Sequence, residues 1–228
     1  MSWDSSKIGL GDLRIREALL PYEEFEYAIT TSIALPAPST PLPAQQDFLR
    51  TRRTCREFGP ISVVDLASFL WHAAHTSDWV VGAYGAVELR PSPSAGARHP
   101  IDILILDTRR AQAFVYRPPS HSLDEIRTEP TALSEIASAA RTVLDPRDGL
   151  LVWLVAQPAR TLAKYEHGEA FVMLDAGALV ATLSFAAHAT GLAYSALGLS
   201  GEPWISQLLH SRGQAVGVLG GVVGTKPA

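Results

Sequence analysis

We predict an α+β fold for this chain of 228 residues, of which 47% are hydrophobic and 18% charged. Short aliphatic segments that end in charged or turn-forming residues indicate buried strands, and longer segments with apolar residues three and four positions apart indicate helices. The two kinds of segment do not alternate strictly, which favours helices layered on a sheet over a doubly wound sheet. The composition is that of a soluble protein with a sizeable core.

The N-terminal part of the chain is predicted to be an arm without a core of its own. Its first residues, up to about position 30, mix charged and apolar side chains, which we interpret as a helical arm. Prolines then recur closely enough to exclude regular structure, so we expect an extended crossing segment that contains Pro36, Pro38, Pro41 and Pro43. We therefore assign residues 1–46 to the arm and crossing segment, and residues 47–228 to one folded domain.

The folded domain is expected to begin with one helix followed by short strands. Ser62 and Asp65 have the spacing of a capping box, which predicts a helix over residues 63–75. The next segments are short and apolar, and they predict strands over 101–106, 114–116 and 150–155 and a helix over 133–143.

The most regular helical pattern lies in the second half of the chain. Apolar residues keep a three- and four-residue spacing over 169–190, which predicts a long central helix. The run 176–201 has no formal charge, but polar residues and Gly191 interrupt it, so we interpret it as a buried helix and strand and not as a membrane span. The remaining expected elements are a strand over 192–197, a helix over 204–210 and a strand over 215–223.

Charge and cysteine content argue against several classes of function. With 19 Lys and Arg against 23 Asp and Glu, the formal net charge is −4, which disfavours binding of a nucleic-acid backbone. The single cysteine, Cys55, forms neither an intrachain disulfide nor a thiolate cluster, and no metal site is expected. The N-terminus has no signal-peptide pattern, so we expect a cytoplasmic protein.

One segment concentrates positive charge in this otherwise acidic chain. Four arginines and a hydroxyl lie within seven residues, namely Arg50, Arg52, Arg53, Thr54 and Arg56. Guanidinium groups offer paired hydrogen-bond donors, so the segment suits a small dianion such as a phosphate monoester. A solvated basic run is the alternative interpretation. The fingerprints of phosphate loops and of Rossmann dinucleotide sites are absent from the sequence.

Two further motifs contain residues suited to ligand binding or catalysis. The first is a turn fenced by prolines, whose backbone can approach a ligand, with the sequence Pro93, Ser94, Ala95 and Gly96. The second is the adjacent pair Lys164 and Tyr165, whose side chains can serve as acid and base when burial or a nearby charge adjusts them. Either motif, taken alone, is also compatible with an ordinary loop.

In this order and together, the motifs resemble those of the nitroreductase superfamily, and the resemblance covers residues 49–226. Its most specific parts are Pro-Ser-Ala-Gly-Ala-Arg-His-Pro at 93–100 and Leu-Asp-Ala-Gly at 174–177. The Lys-Tyr pair is similar to that of the SagB-type branch, the azoline dehydrogenases that act with cyclodehydratases on ribosomal peptides. In the arginine motif, threonine stands where the family usually has serine, which keeps the hydroxyl.

The resemblance implies a nitroreductase-like FMN-binding fold, a mixed and mainly antiparallel sheet flanked by helices, in a homodimer with both flavin sites at the subunit interface. By position, the phosphate and ribityl chain would be held by Arg52, Arg53, Thr54 and Arg56. The isoalloxazine would be approached from the partner subunit by the turn Pro93, Ser94, Ala95 and Gly96. Gly198 would lie near the flavin face. Lys226 would add a phosphate contact, although the family more often ends in a Gly-Arg-Pro-like string.

The resemblance also implies oxidation of a thiazoline or oxazoline in a peptide or peptide-like substrate, with Lys164 and Tyr165 as the catalytic residues. The reaction removes a proton from the ring α-carbon and a hydride from the adjacent carbon, so a base must lie opposite the flavin. A cyclodehydratase or synthetase is the expected protein partner. The alternatives are an NAD(P)H-dependent nitro-, quinone- or ene-reductase of the same superfamily and, in another class, a non-catalytic scaffold subunit of a biosynthetic complex.

Overall fold

A computed structural model of the chain describes residues 14–37 and 48–226. Its strands, in chain order, are β1 (Arg14–Ile15), β2 (Ile29–Ala34), β3 (Asp78–Gly82), β4 (Gly85–Leu89), β5 (Ile101–Asp107), β6 (Gln112–Arg117), β7 (Ser122–Ile126), β8 (Leu150–Ala156), β9 (Tyr165–Glu166), β10 (Leu192–Ala196) and β11 (Val216–Thr225). Seven strands form the central sheet in the order β10-β11-β8-β5-β6-β7-β2, and each neighbouring pair is antiparallel. Strands β3 and β4 form a separate hairpin, and β1 pairs with β9.

Helices cover both faces of the central sheet. In the described part of the chain they are α1 (Phe48–Thr51), α2 (Val63–Ala74), α3 (Pro130–Val143), α4 (Ala159–Leu162), α5 (Glu169–Ala189) and α6 (Trp204–Leu209). Helices α2 and α5 pack together against one face, and α3 and α6 pack together against the other. The predicted α+β fold, with a mainly antiparallel sheet flanked by helices, is confirmed.

The two central strands explain why the sheet has a core on each side. Successive side chains of a strand point to opposite faces, so a strand with helices on both sides consists almost entirely of apolar residues. In β5, Ile103 and Ile105 contact the core beneath α2 and α5, whereas Leu104 and Leu106 contact the core beneath α3 and α6. The aliphatic runs that predict β5 and β8 in the sequence reflect this double burial.

Most of the other predicted elements agree with the structure to within a few residues. The helix start at Ser62 is confirmed, because the Ser62 side chain accepts a hydrogen bond of 3.1 Å from the Asp65 amide at the N-cap of α2. Helix α3 starts at Pro130 and so precedes the predicted start, since proline is well tolerated in the first turn of a helix. The hairpin of β3 and β4 is an element that the sequence analysis does not anticipate.

The prediction of a helical arm is wrong for the part of the arm that the structure describes. Residues 14–37 contain no helix, and β2 within them adds to the edge of the central sheet by pairing with β7. The physical reason lies in the segment Ile29–Ala34, which is rich in isoleucine and threonine, residues that favour strands. Pro36 lies in irregular structure, as expected. Pro38, Pro41, Pro43 and the proposed boundary at 46 and 47 lie outside the described residues.

Helix α5 is long and apolar enough to cross a membrane by length and composition, and among the described helices it alone passes that test. The core helix of a soluble protein passes the same test, and α5 packs against α2 and β10. The side chains that it buries follow helical spacing and include Val172, Leu179 and Leu183. The opposite side exposes Leu174, Gly177 and Ala181.

We expect the contact between Gly220 and Trp153 to limit which residues β11 tolerates. Trp153 on β8 is fully buried, and a Cβ at Gly220 would lie 2.6 Å from its ring. Overpacking a core typically costs about 1–3 kcal/mol, so Gly220→Ala should lower the free energy of unfolding by that order. Urea denaturation measures the free energy of unfolding of each variant. The control Gly82→Ala meets only one carbonyl oxygen, at 3.9 Å, and equal stability of both variants would contradict this prediction.

Candidate active site

One carboxylate holds the Pro-Ser-Ala-Gly turn in place. Asp175 of α5 accepts a 2.7 Å hydrogen bond from the Ser94 hydroxyl and a 3.2 Å bond from the Ala95 amide. The Ser94 hydroxyl also accepts a 2.9 Å bond from the His99 amide. Burial raises the pKa of Asp175, and the bonds from Ser94 and Ala95 oppose that rise. The two most specific strings of the sequence, 93–100 and 174–177, therefore form one structural unit.

The same turn lies against the Lys-Tyr pair. Gly96 adopts a left-handed backbone conformation with φ of 59°, and a Cβ at this position would overlap the Tyr165 hydroxyl and the Lys164 Nζ atom. Glycine is therefore required here both by backbone conformation and by space. Two motifs that lie about 70 residues apart in the sequence meet at this point.

The local structure fixes the Lys-Tyr pair between two short elements. Lys164 follows α4, and its amide donates a 3.0 Å bond to the Thr161 carbonyl oxygen. Tyr165 begins β9 and is buried, and its ring stacks on that of Phe171 with centroids 6.4 Å apart. Lys164 Nζ lies 5.1 Å from the ring centroid of Tyr84 and 5.3 Å from that of Tyr165. An amine and a phenol are thus placed together next to an exposed glycine.

A buried ion pair fixes the backbone segments next to both the turn and the Lys-Tyr pair. Arg160 of α4 donates a 2.7 Å bond to Asp102 of β5 and a 3.0 Å bond to the His99 carbonyl oxygen. Burial alone would raise the pKa of Asp102, but Arg160 and the hydrogen bonds from Tyr27 and Gln157 outweigh it and lower the pKa.

His99 itself has a structural role. Burial, followed by the charge of Arg90, lowers the pKa of its imidazole to about 4. Its ring is therefore neutral at physiological pH. One ring nitrogen lies 3.0 Å from the Glu88 carbonyl oxygen, so the ring is engaged within the fold.

The arginine segment is docked on the edge strand of the sheet. The Ser195 side chain of β10 accepts a 3.0 Å bond from the Cys55 amide and donates a 2.8 Å bond to the Cys55 carbonyl oxygen. Next to this contact lies a cavity of about 280 Å³ whose lining includes four predicted phosphate ligands, Arg52, Arg53, Thr54 and Lys226. No aspartate or glutamate lines the cavity among the described residues. A cavity lined by three cations and a hydroxyl fits the phosphate of a flavin mononucleotide.

The structure does not bring all predicted ligands together. Arg56 is exposed and does not line the cavity, and Gly198 is exposed after β10 with φ of 71°. The Arg50 side chain lies outside the described part. Among the described residues, none lines both the cavity beside Arg52 and the cavity that includes Pro93 and Ser94, so the predicted ligands fall into two groups.

Sequence reasoning misses several residues that build this site. Asp175 appears only as part of a motif, although a lone carboxylate in the uncharged stretch of α5 is a usable signal for a buried partner. Arg160 and Asp102 carry no such local signal, because their partners are distant in the sequence. The described residues contain no group of three or more His, Cys, Asp or Glu side chains suited to a metal ion.

Comparison with solved structures identifies proteins of the same fold at low sequence identity. A candidate nitroreductase from Ralstonia eutropha JMP134 has a TM-score of 0.63 and 19% identity, covering 95% of this chain and 99% of that chain. The E. coli microcin synthetase McbBCD complex with truncated pro-MccB17 bound has a TM-score of 0.58 and 15% identity, covering 85% and 77%. A nitroreductase with bound FMN from Bacteroides fragilis NCTC 9343 has a TM-score of 0.50 and 13% identity, covering 80% and 88%.

A search of curated proteins finds no match to this sequence. A family model described as Nitroreductase family matches residues 49–222, which is more than half of the chain and includes the arginine segment, the turn, the Lys-Tyr pair and α5. The match extends over the whole central sheet except the edge strand β2 and the last residues of β11. The chain therefore belongs to the nitroreductase family.

Proposed function

We propose that this protein is an FMN-dependent oxidoreductase that dehydrogenates thiazolines or oxazolines in a peptide or peptide-like substrate. The observation that carries the proposal is the contact of Lys164 and Tyr165 with Gly96, because it places an acid-base pair on the turn expected to face the flavin. Family membership and the bound FMN of the Bacteroides protein support the choice of cofactor. The fold shared with the microcin synthetase complex supports a synthetase partner.

The proposed flavin contacts divide between the two groups of residues. The phosphate would be held by the guanidinium and ammonium groups of Arg52, Arg53 and Lys226 and by the Thr54 hydroxyl, because no carboxylate from the described part of the chain lines their cavity. The exposed Arg56 would contribute from the rim. The backbone of the turn at Pro93, Ser94, Ala95 and Gly96 would approach the isoalloxazine, with Gly198 near the flavin face.

A homodimer would join the two groups into one site. We infer that a second copy places the turn of one subunit against the phosphate cavity of the other, because the family resemblance implies a site at the subunit interface. The two cavities share no lining residue among the described residues of one chain, which is compatible with this arrangement. Helix α5 offers a contact surface for that copy, since Leu174, Gly177 and Ala181 are exposed on one side of it. Small side chains allow a helix to approach a neighbour closely.

The chemistry divides between the cofactor and the protein. Bound FMN would supply the hydride acceptor for oxidation of the azoline ring. One residue of the pair Lys164 and Tyr165, in its deprotonated form, would accept the proton from the ring α-carbon, which completes the loss of two hydrogens and leaves the aromatic azole. Tyr165 is buried and Lys164 is half-buried, so the pair lies at the surface of the core next to the exposed Gly96.

We expect removal of a cation from the phosphate cavity to weaken FMN binding. A hydrogen bond to a charged group contributes about 1.5–3 kcal/mol, so Arg52→Ala or Lys226→Met should raise the FMN dissociation constant roughly tenfold or more. Fluorescence titration of FMN into flavin-free protein measures this. Arg109→Ala, at the remote turn between β5 and β6, is the control. A parental dissociation constant in both cavity variants would refute the phosphate assignment.

We also expect a charge on the exposed side of α5 to disrupt the dimer and the cofactor site together. Ala181→Arg should give a monomer near 24.5 kDa in light scattering and should lose bound flavin, because an unpaired charge is costly to bury in an interface. Val143→Arg adds the same charge to an exposed apolar position on α3 and should leave assembly unchanged. A monomer that keeps full flavin content would contradict a shared site.

Lys164→Ala and Tyr165→Phe are expected to retain FMN and lose azoline oxidation. Loss of a positioned acid or base typically lowers a rate about 10²- to 10⁴-fold. Anaerobic reduction of the flavin by a thiazoline peptide, followed by absorbance, isolates this step from reoxidation. If both variants reduce flavin at the parental rate, the pair is structural, and the NAD(P)H-dependent reductase becomes the better assignment.

A further inference from the structure

The N-terminal segment runs along the Lys-Tyr pair of its own chain. Strand β1 pairs with β9, and the register places Ile15 opposite Tyr165. Beyond the strand, the Arg16 amide donates a 3.0 Å bond to the Lys164 carbonyl oxygen, and the Leu20 amide donates a 2.8 Å bond to the Ala163 carbonyl oxygen. The backbone of the pair is therefore held from outside by a segment about 150 residues earlier in the sequence.

Arg16 makes more of these contacts than its neighbours do. Its Nε donates a 3.3 Å bond to the Leu162 carbonyl oxygen, and its Nη1 lies 3.2 Å from a Glu166 carboxylate oxygen. The side chain thus connects the residues on either side of the pair. Its carbonyl oxygen accepts a 3.0 Å bond from the Tyr84 hydroxyl, so Arg16 also anchors the hairpin of β3 and β4.

Tyr84 lies at the tip of that hairpin, between β3 and β4. The hairpin is poorly covered, and its Val81 side chain is 84% exposed. The base of the hairpin is held by Glu88, which bonds Thr76 and pairs with Arg90. At the tip, the hydroxyl of Tyr84 bonds Arg16 and its ring faces Lys164 Nζ, which therefore lies near two aromatic rings, those of Tyr84 and Tyr165.

We propose that Tyr84 and Arg16 are positioning residues for Lys164. The ring of Tyr84 holds the lysine ammonium beside Tyr165 through a cation–π contact, and Arg16 fixes both the backbone of the pair and the hydroxyl of Tyr84. The catalytic importance of Lys164 rests on the proposed function. The placement of Lys164 against the two rings is independent of the proposed function, and the two statements are tested separately.

The placement of Lys164 can be read by NMR without reference to activity. The chain has three lysines, Lys7, Lys164 and Lys226. Reductive methylation with ¹³C-formaldehyde keeps the charge and labels each of them, and Lys164→Arg identifies the Lys164 signal. In the full-length protein we expect the Lys164 methyl signal to be shifted upfield by the two rings. Tyr84→Leu should remove most of that shift, and Tyr84→Phe, which keeps the ring, should retain it.

The functional consequence is measured by anaerobic flavin reduction with a thiazoline peptide. Because small displacements of a reacting group are costly, Tyr84→Leu and Arg16→Met should each lower the maximal rate on the order of tenfold, with bound FMN and the half-saturating peptide concentration unchanged. Tyr84→Phe should restore most of the rate. Val81→Ala, on the same hairpin with an exposed side chain, is the matched control and should behave like the parent.

The outcomes separate the two proposals. An unchanged Lys164 methyl shift in Tyr84→Leu, or parental flavin reduction in both Tyr84→Leu and Arg16→Met, would overturn the positioning role. A parent protein that binds FMN but is not reduced by the thiazoline peptide would overturn the proposed function, and the methyl shift would still decide the placement of Lys164. Circular dichroism of each variant verifies that the fold is intact.

Discussion

The geometry of the candidate site depends on one buried carboxylate. Asp175 reaches out of α5 to bind the hydroxyl of Ser94 and the amide of Ala95, and no other described residue fixes both groups of the turn. With these bonds made, the left-handed Gly96 faces Lys164 and Tyr165. A carboxylate in a largely uncharged helix is unfavourable without hydrogen-bond donors. Ser94 and Ala95 supply those donors to Asp175, and the same hydrogen bonds fix the turn.

A second buried charge pair plays the corresponding role for the backbone beneath the site. Arg160 and Asp102 connect α4, which precedes Lys164, to β5, which follows the turn. Breaking a buried ion pair by removing one partner typically costs about 3–5 kcal/mol, whereas an exposed pair contributes little. Because the ion pair is costly to break, α4 and the turn keep a fixed position relative to each other. The turn and the Lys-Tyr pair are in this way held against a rigid sheet.

A helix, strand or site can be predicted from the sequence when the interactions that determine it are local in the chain. Strands β5 and β8 are predictable because burial on both faces demands aliphatic runs, and α2 is predictable because Ser62 and Asp65 interact within one turn. The grouping of Arg52, Thr54 and Lys226 in one cavity follows the resemblance, but no local pattern brings the C-terminus to the arginine segment. That contact requires the edge strand β10 to pair with β11.

The elements that sequence reasoning misses are strands with exposed side chains, and the contacts that it misses join residues that are distant in the sequence. Strand β2 is not recognised because an edge strand exposed to solvent lacks the alternation that burial produces. The hairpin of β3 and β4 also has mostly exposed residues. The contacts of Arg16 and Tyr84 with the Lys-Tyr segment join residues that are about 80 to 150 positions apart, for which a single sequence carries no signal.

Three separate structural requirements explain the amino-acid composition of α5. One side packs against α2 and β10, which requires apolar residues such as Leu179 and Leu183. The same side must place Asp175 at the turn. The opposite side, with Leu174, Gly177 and Ala181, has few charges, although it is open in the single chain. A helix covered on one side only would carry charged residues on the other. The apolar exposed side of α5 is therefore the strongest structural support for the proposed dimer.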